Sequence, residues 1–202
     1  MTAGERRRTI RLATAGDAAA LLALQRRLDV QSAFMLLEPD ERDESPARLR
    51  ERLGAQTAAG SFDLLAEQVG DAGAPPGQVD DAAAQVGAPA QVGDAPRPAL
   101  VGWLAVGVSP YRRAAHVGHL VLGVDAAHAG RGVGGDLLTA AAREAGRRSL
   151  RRLELTVMTD NLRALDLYLR HGFTVEGLRR HALLRDSVPV DEYHMARLLP
   201  GG

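Results

Sequence analysis

The segment Gly130-Arg131-Gly132-Val133-Gly134-Gly135 places four glycines in six residues, between a stretch that reads as a strand and one that reads as a helix. Backbone N–H groups at a helix start, together with the helix dipole, favour anions. Glycines matter there because a Cβ would hold a phosphate away from the amides. Val133, Leu137, Ala141 and Ala145 then form an i, i+4 stripe that anchors the loop to a buried helix. The segment reads as a pyrophosphate-binding loop. The alternative, a glycine-rich turn with no ligand, would put four poor helix formers at a helix start for no gain.

Gly130-x-Gly132-x-x-Gly135 also satisfies the dinucleotide-binding fingerprint, with Glu154 about twenty residues on. Two features count against that reading. Asp125 to Ala129 separate the strand from the first glycine, and Glu154 falls inside its strand rather than at the end. No Gly-Lys-Ser/Thr follows, which excludes a nucleoside-triphosphate P-loop.

A second constellation is Asn161-Leu-Arg-Ala164-Leu-Asp-Leu-Tyr168. Asn161, Ala164 and Tyr168 stand at i, i+3 and i+7, on one helix face. Arg163, Asp166 and Arg170 take the opposite, solvated face. An amide and a phenol on one inward face suggest a polar cleft. The plainer reading makes Tyr168 a half-buried core aromatic and Asn161 a helix cap.

The elements that must position these residues follow from local signals. Thr9–Ala13 reads as a strand, and Thr14-Ala-Gly-Asp17 as a capping box. Leu21, Leu24 and Leu28 carry a first helix to about Asp29. Ser45-Pro46 caps a second, ending near Gly54. Strands are expected at Ser61–Glu67, Leu100–Val108 and Ala115–Val124. A helix then runs to about Gly146, a strand over Leu153–Thr159, and a helix over Asn161–Arg170 that Gly172 stops. Phe173–Leu184 and Val190–Leu198 form a last hairpin around Arg185-Asp186-Ser187. The order is β-α-α-β-β-β-α-β-α-β-β. It predicts an α/β (α+β) chain: a mixed, mostly antiparallel twisted sheet of about seven strands with helices on both faces.

Gly70–Ala99 differs from its surroundings, with five of the ten prolines, five glycines and no aromatic, leucine or isoleucine. Gln68-Val69-Gly70-Asp71, Gln78-Val79-Asp80-Asp81, Gln85-Val86-Gly87 and Gln91-Val92-Gly93-Asp94 repeat imperfectly within and beside it. So little apolar surface cannot offset the entropy of ordering, so a flexible loop insertion is expected at 70–99 within a single domain spanning 1–202.

The bulk numbers narrow the partners. The 25 basic and 25 acidic residues cancel, which argues against wholesale nucleic-acid or anionic-membrane binding. Every basic residue is arginine, a bias read as genome composition before function. Zero cysteines exclude disulfides, a thiolate nucleophile and Cys-ligated zinc, and no metal is expected. No apolar run approaches the roughly 20 residues of a membrane span, and Met1 to Arg8 lack the apolar stretch of a signal peptide. The cytoplasm is the default location.

Taken together, the two constellations resemble the GNAT superfamily of acetyl-CoA-dependent N-acetyltransferases. Ala129-Gly-Arg-Gly132-Val-Gly134 aligns with that family's Gln/Arg-x-x-Gly-x-Gly/Ala loop, and Asn161-x-x-Ala164-x-x-x-Tyr168-x-x-x-Gly172-Phe173 with its later motif. Glu176-Gly177 and Asp191-Glu192-Tyr193-His194-Met195-Ala196-Arg197 look like the branch of ribosomal-protein and amino-acid N-acetyltransferases. The resemblance implies acetyl-CoA as co-substrate, with the strand residues Leu122, Gly123 and Val124 along its pantetheine arm. It implies Gly130, Arg131, Gly132, Val133, Gly134 and Gly135 around the pyrophosphate, and a hydrogen bond from Asn161. Tyr168 would be the acid that protonates the departing thiolate. His119 stands where many relatives carry a glutamate base. His116, on the same strand, is the less favoured substitute. Ala129 departs from the pattern and removes a side-chain contact, which His128 or Arg131 could replace.

The acceptor implied is a small-molecule or peptide amine. In the family its pocket is built by segments corresponding to Val30–Ser45 and His181–Pro189. Glu38, Asp40, Glu41, Asp43 and Glu44 make the first acidic, either to attract a cationic amine or simply as a solvated approach to a helix. Dimerisation is common in the family, so a homodimer stays open. A silent acyl-CoA-binding module and a dinucleotide-binding oxidoreductase are the competing classes.

Overall fold

A computed structural model describes residues 7–56, 60–69 and 98–200. The chain runs β1 (Arg7–Leu12), α1 (Ala18–Gln31), α2 (Pro46–Ala55), β2 (Phe62–Val69), β3 (Ala99–Val108) and β4 (Val117–Val124). It continues through α3 (Val133–Arg147), β5 (Arg152–Met158), α4 (Leu162–Arg170), β6 (Thr174–Arg185) and β7 (Val188–Leu198). The seven strands form one sheet in the order β1-β2-β3-β4-β5-β7-β6. Every neighbouring pair is antiparallel except β4 with β5. This is the expected mixed sheet. The proposed 70–99 loop falls almost wholly outside the described residues. The strands on either side of it, β2 and β3, are sheet neighbours.

Period-2 alternation gives the sheet two apolar faces. On one, Leu64, Leu104, Leu120, Leu155 and Met195 pack with α3 through Val133, Leu137, Ala141 and Ala145, the stripe read from the sequence. On the other, Leu65 and Trp103 meet Leu21, Leu24 and Leu28 of α1 and Leu49 and Leu53 of α2. Gly123 of β4 lets α1 in close, because a Cβ there would stand 2.5 Å from Leu28 Cδ1.

Local chemistry sets the helix ends. The Thr14 N–H and hydroxyl both donate to Asp17 at 2.8 Å, in a short 3₁₀ turn leading into α1. The Ser45 hydroxyl accepts from the Arg48 N–H at 3.2 Å, with Pro46 in the first helical position. At the end of α4, the Gly172 N–H donates to the Leu169 carbonyl (3.0 Å) and the Phe173 N–H to that of Tyr168 (3.1 Å). Gly172 takes φ +79°, and Phe173 meets Tyr168 edge to face at 5.8 Å. This is a Schellman stop with its apolar contact. The hairpin turn is Asp186-Ser187 alone, both at positive φ (50° and 63°), so Arg185 and Val188 pair directly.

Because Gly172 is left-handed, Gly172→Ala is expected to lower stability by about 1 kcal/mol. A urea-midpoint measurement checks this, and an unchanged midpoint would show that the stop does not hold α4 in place.

Candidate active site

The parallel pair β4/β5 is short. Its register covers Val117↔Arg152, Gly118↔Leu153 and His119↔Glu154, and stops there. β4 continues to Val124, paired only with β3 as far as Gly102↔Val124, while β5 continues paired with β7 as far as Met158↔Glu192. The strands therefore part as a fork. The edge of β4 from Leu120 to Val124 that faces β5 has no strand partner. Leu122, Gly123 and Val124 lie on this stretch, where an extended amide-bearing chain could add as a strand.

Asp125 ends β4 and caps the 3₁₀ turn at 126–128, accepting from the Ala127 N–H at 3.0 Å. Helix α1 braces this turn from the side. Arg27 Nε donates to Asp125 Oδ2 at 3.4 Å, and Gln31 Oε1 accepts from the Ala126 N–H at 3.1 Å. The glycine loop follows. Gly130 (φ +76°) and Gly132 (φ +82°) both need the left-handed region, which explains two of the four glycines. Gly134 is needed for a different reason: a Cβ would meet Leu167 of α4 at 2.9 Å, so this glycine lets α4 approach α3.

The first bond along α3 runs from the Asp136 N–H to the Gly132 carbonyl at 3.0 Å. The amides of Val133, Gly134 and Gly135 precede it and have no acceptor within the helix. Orphan amides beside glycines at a dipole's positive end are the donor set a diphosphate requires, so the loop fits the co-substrate implied by the sequence.

The stand-ins considered for Ala129 are placed less favourably. His128 turns Nδ1 toward Asp125 Oδ1 at 3.7 Å, buried and without a hydrogen bond, and Arg131 is exposed. The guanidinium that approaches the loop belongs to Arg163 on α4. Its Nη2 lies 3.4 Å from where a Cβ on Gly130 would stand. Arg163 is solvated as expected but reaches back over the loop. The sequence carried no signal for this beyond a basic residue two positions after Asn161.

Asn161 stands at the start of α4 and Tyr168 on its buried face. Asn161 Oδ1 accepts from the Ala164 N–H at 3.2 Å, so the residue is a cap, and its Nδ2 donors make no hydrogen bond among the described residues. Tyr168 is buried in the α3-side core with Val157 and Phe173, and no described residue hydrogen-bonds its hydroxyl. Burial pushes its phenol well above the usual value, so the proton stays on oxygen throughout the neutral range.

His119 lies on the other face of the sheet. It alternates with Gly118 and Leu120, which point into the α3-side core, and it is exposed at the crotch of the fork. The two candidate catalytic residues thus lie on opposite faces of the sheet. Across from His119, Arg152 holds Glu154 and Glu176, each at 2.9 Å, and His194 stands 3.8 Å from both carboxylates. Glu154 is therefore occupied by an arginine and is not free to bind a ribose.

The segments Val30–Ser45 and His181–Pro189 also meet. Arg185 from the β6–β7 hairpin lies 5.7 Å over the Phe34 ring, and it pairs with Asp160 at the foot of α4. The acidic run is exposed or half-exposed and partly answered internally: Arg52 reaches Glu44 at 3.5 Å, and Glu41 accepts from the Glu38 N–H at 2.9 Å.

With this geometry in hand, the comparisons are specific. Residues 79–173 match the model of the acetyltransferase (GNAT) family. The L-amino acid N-acetyltransferase AaaT of Escherichia coli K12 is 45% identical over 47 residues, a stretch covering 23% of this chain and 29% of that enzyme. A GNAT-family acetyltransferase from Streptococcus pneumoniae superposes with a TM-score of 0.78 at 25% identity, covering 96% of this chain and 100% of that one. A phosphinothricin acetyltransferase from Sinorhizobium meliloti, solved in complex with acetyl-CoA, gives 0.70 at 17% identity, covering 95% and 88%. Residues 79–173 thus resemble the GNAT family of acetyltransferases, and the fold along nearly the whole chain is that of its solved members. Among the described residues no helix is long and apolar enough to cross a membrane.

Asn161→Ser separates the cap from any ligand contact, since serine caps about as well but has no amide donor. It is expected to leave the melting temperature within a degree or two and to raise the KM for acetyl-CoA several-fold. An unchanged KM would leave Asn161 as a cap alone.

Proposed function

We propose that the chain is an N-acetyltransferase that moves an acetyl group from acetyl-CoA to a primary amine by direct attack in a ternary complex. The observation that carries this reading is the parting of β4 from β5 next to the orphan amides of α3. A single extended ligand can run along the open edge at Leu122, Gly123 and Val124 and end with its diphosphate over Gly130 to Gly135. Arg131 and Val133 contribute backbone there. Asn161 Nδ2, which makes no hydrogen bond among the described residues, donates to the ligand in this reading, and Arg163 supplies the cation that Ala129 does not. We read the whole chain as one acetyltransferase domain, with 70–99 as an insertion between β2 and β3, acting in the cytoplasm.

Acetyl-CoA supplies the thioester. The amine nitrogen bonds to the carbonyl carbon, the C–S bond breaks, and the departing sulfur needs a proton. Tyr168 supplies it in this reading, since its phenol carries its proton at neutral pH and is available to donate. The amine must lose a proton before or during attack, since an amine with pKa near 10 is mostly ammonium at neutrality. His119 is the base on the acceptor side, where Phe34 and Arg185 bring the two acceptor segments together. The amino-acid N-acetyltransferase among the relatives makes amino-acid amines the first acceptors to try.

The test is release of free CoA with a panel of amino acids, polyamines, aminoglycosides and peptide N-termini. Turnover is expected with at least one class. At saturating acetyl-CoA, with chemistry limiting, Tyr168→Phe should lower kcat on the order of 10²-fold. Tight acetyl-CoA binding with no turnover on any amine would instead establish a silent acyl-CoA-binding module. An unchanged kcat in Tyr168→Phe would remove Tyr168 from the acid role. If His119 is the base, His119→Gln should lower kcat/KM on the order of 10²-fold, and an unchanged kcat/KM would move the base elsewhere.

A further inference from the structure

The amide cradle at the start of α3 carries an electrostatic conflict. Asp136, one residue past the last orphan amide, puts a half-exposed carboxylate on the first turn of the helix. A carboxylate there suits the helix dipole, but it repels any dianion that the same amides would hold. The structure answers it from the far end of the chain. Arg8, on edge strand β1, donates from Nε to Asp136 Oδ2 at 2.9 Å and pairs with the same oxygen through Nη2. Its Nη1 donates to the Arg131 carbonyl at 2.9 Å, and Nη2 lies 3.5 Å from where a Cβ on Gly132 would stand.

One guanidinium thus does two things at the loop. It cancels the charge of Asp136. It also engages the Arg131 carbonyl, which fixes the turn with the amides of 133–135 left free. A planar fork suits this double contact, and a lysine ammonium would satisfy only part of it. Arg8 is not needed to hold β1 in place, because β1 pairs with β2 along its whole length, from Arg7↔Val69 to Leu12↔Leu64.

We propose that Arg8 is a positioning residue for the diphosphate of the acyl-CoA ligand, acting through Asp136 and the Arg131 carbonyl rather than by touching the ligand. This rests on the acetyl-CoA reading above. It predicts a coupling whose sign a merely structural contact would not give. If Arg8 works by neutralising Asp136, removing both charges should repair much of the damage done by removing one.

The experiment is calorimetric binding of acetyl-CoA to wild type, Arg8→Gln, Asp136→Asn and the double variant, with KM and kcat alongside. Arg8→Gln is expected to weaken binding and raise KM by about tenfold, with kcat at saturation unchanged. Asp136→Asn should bind no more weakly than wild type, and the double variant should regain most of the loss. Arg8→Lys should fall between wild type and Arg8→Gln. Wild-type affinity in Arg8→Gln, or a double variant as weak as Arg8→Gln, would overturn the proposal. Failure of the wild type itself to bind acetyl-CoA is a different result. It would remove the acetyl-CoA reading, and this proposal with it.

Discussion

The separation of β4 from β5 after His119 and Glu154 is the constraint on which the rest of the site depends. A sheet that stayed paired to Val124 would bury the β4 edge against β5 and leave no path between the α3 face and the α1 face. Because the pair opens, the same few residues serve three purposes. The free edge of β4 offers backbone groups, the helix that follows offers amides, and the gap lies between the α3 face that buries Tyr168 and the opposite face that exposes His119. The helices reinforce this layout. Gly134 admits α4 against α3, and Gly123 admits α1 against β4, so both walls stand as close to the fork as backbone allows.

The charge distribution around the site shows how a chain with no net charge can still be strongly patterned. Its cations are all arginines, and many are spent on bidentate or bridging contacts: Arg8 at the glycine loop, Arg11 between Asp17 and Glu67, Arg152 between Glu154 and Glu176. A guanidinium keeps its charge when half-buried and can hold two acceptors in a plane. Arg152 and His194 make the surface around Glu154 and Glu176 mixed polar rather than acidic. The exposed acidic run at 38–44 fits the solvated reading at least as well as an ammonium trap, given its pairings with Arg52 and its own backbone.

Much of this was legible in the sequence because the signals are local. Ser45-Pro46, Thr14 with Asp17 and Gly172 each declare a helix end within four residues, and all three hold. The element order and the α3 stripe follow from periodicity. Boundaries drifted where a turn competes: Ala115 was expected in a strand, but the Ala114 N–H bonds the Tyr111 carbonyl and the strand starts at Val117. What stayed hidden is non-local. Nothing in β4 or β5 alone marks where they part. Arg8 and Asp136 lie 128 residues apart, and Arg185 meets Phe34 only through the fold. Asn161 shows a different limit, since one side chain can cap a helix with its oxygen and keep its nitrogen for a ligand.

Hydrogen–deuterium exchange with and without acetyl-CoA tests the fork most directly. Amides of Leu120 to Val124 and of Gly130 to Gly135 should slow together on addition of acetyl-CoA, the first as the open β4 edge gains a partner and the second as the cradle fills. Unchanged exchange at both stretches under saturating acetyl-CoA, or protection confined to another part of the sheet, would contradict the account.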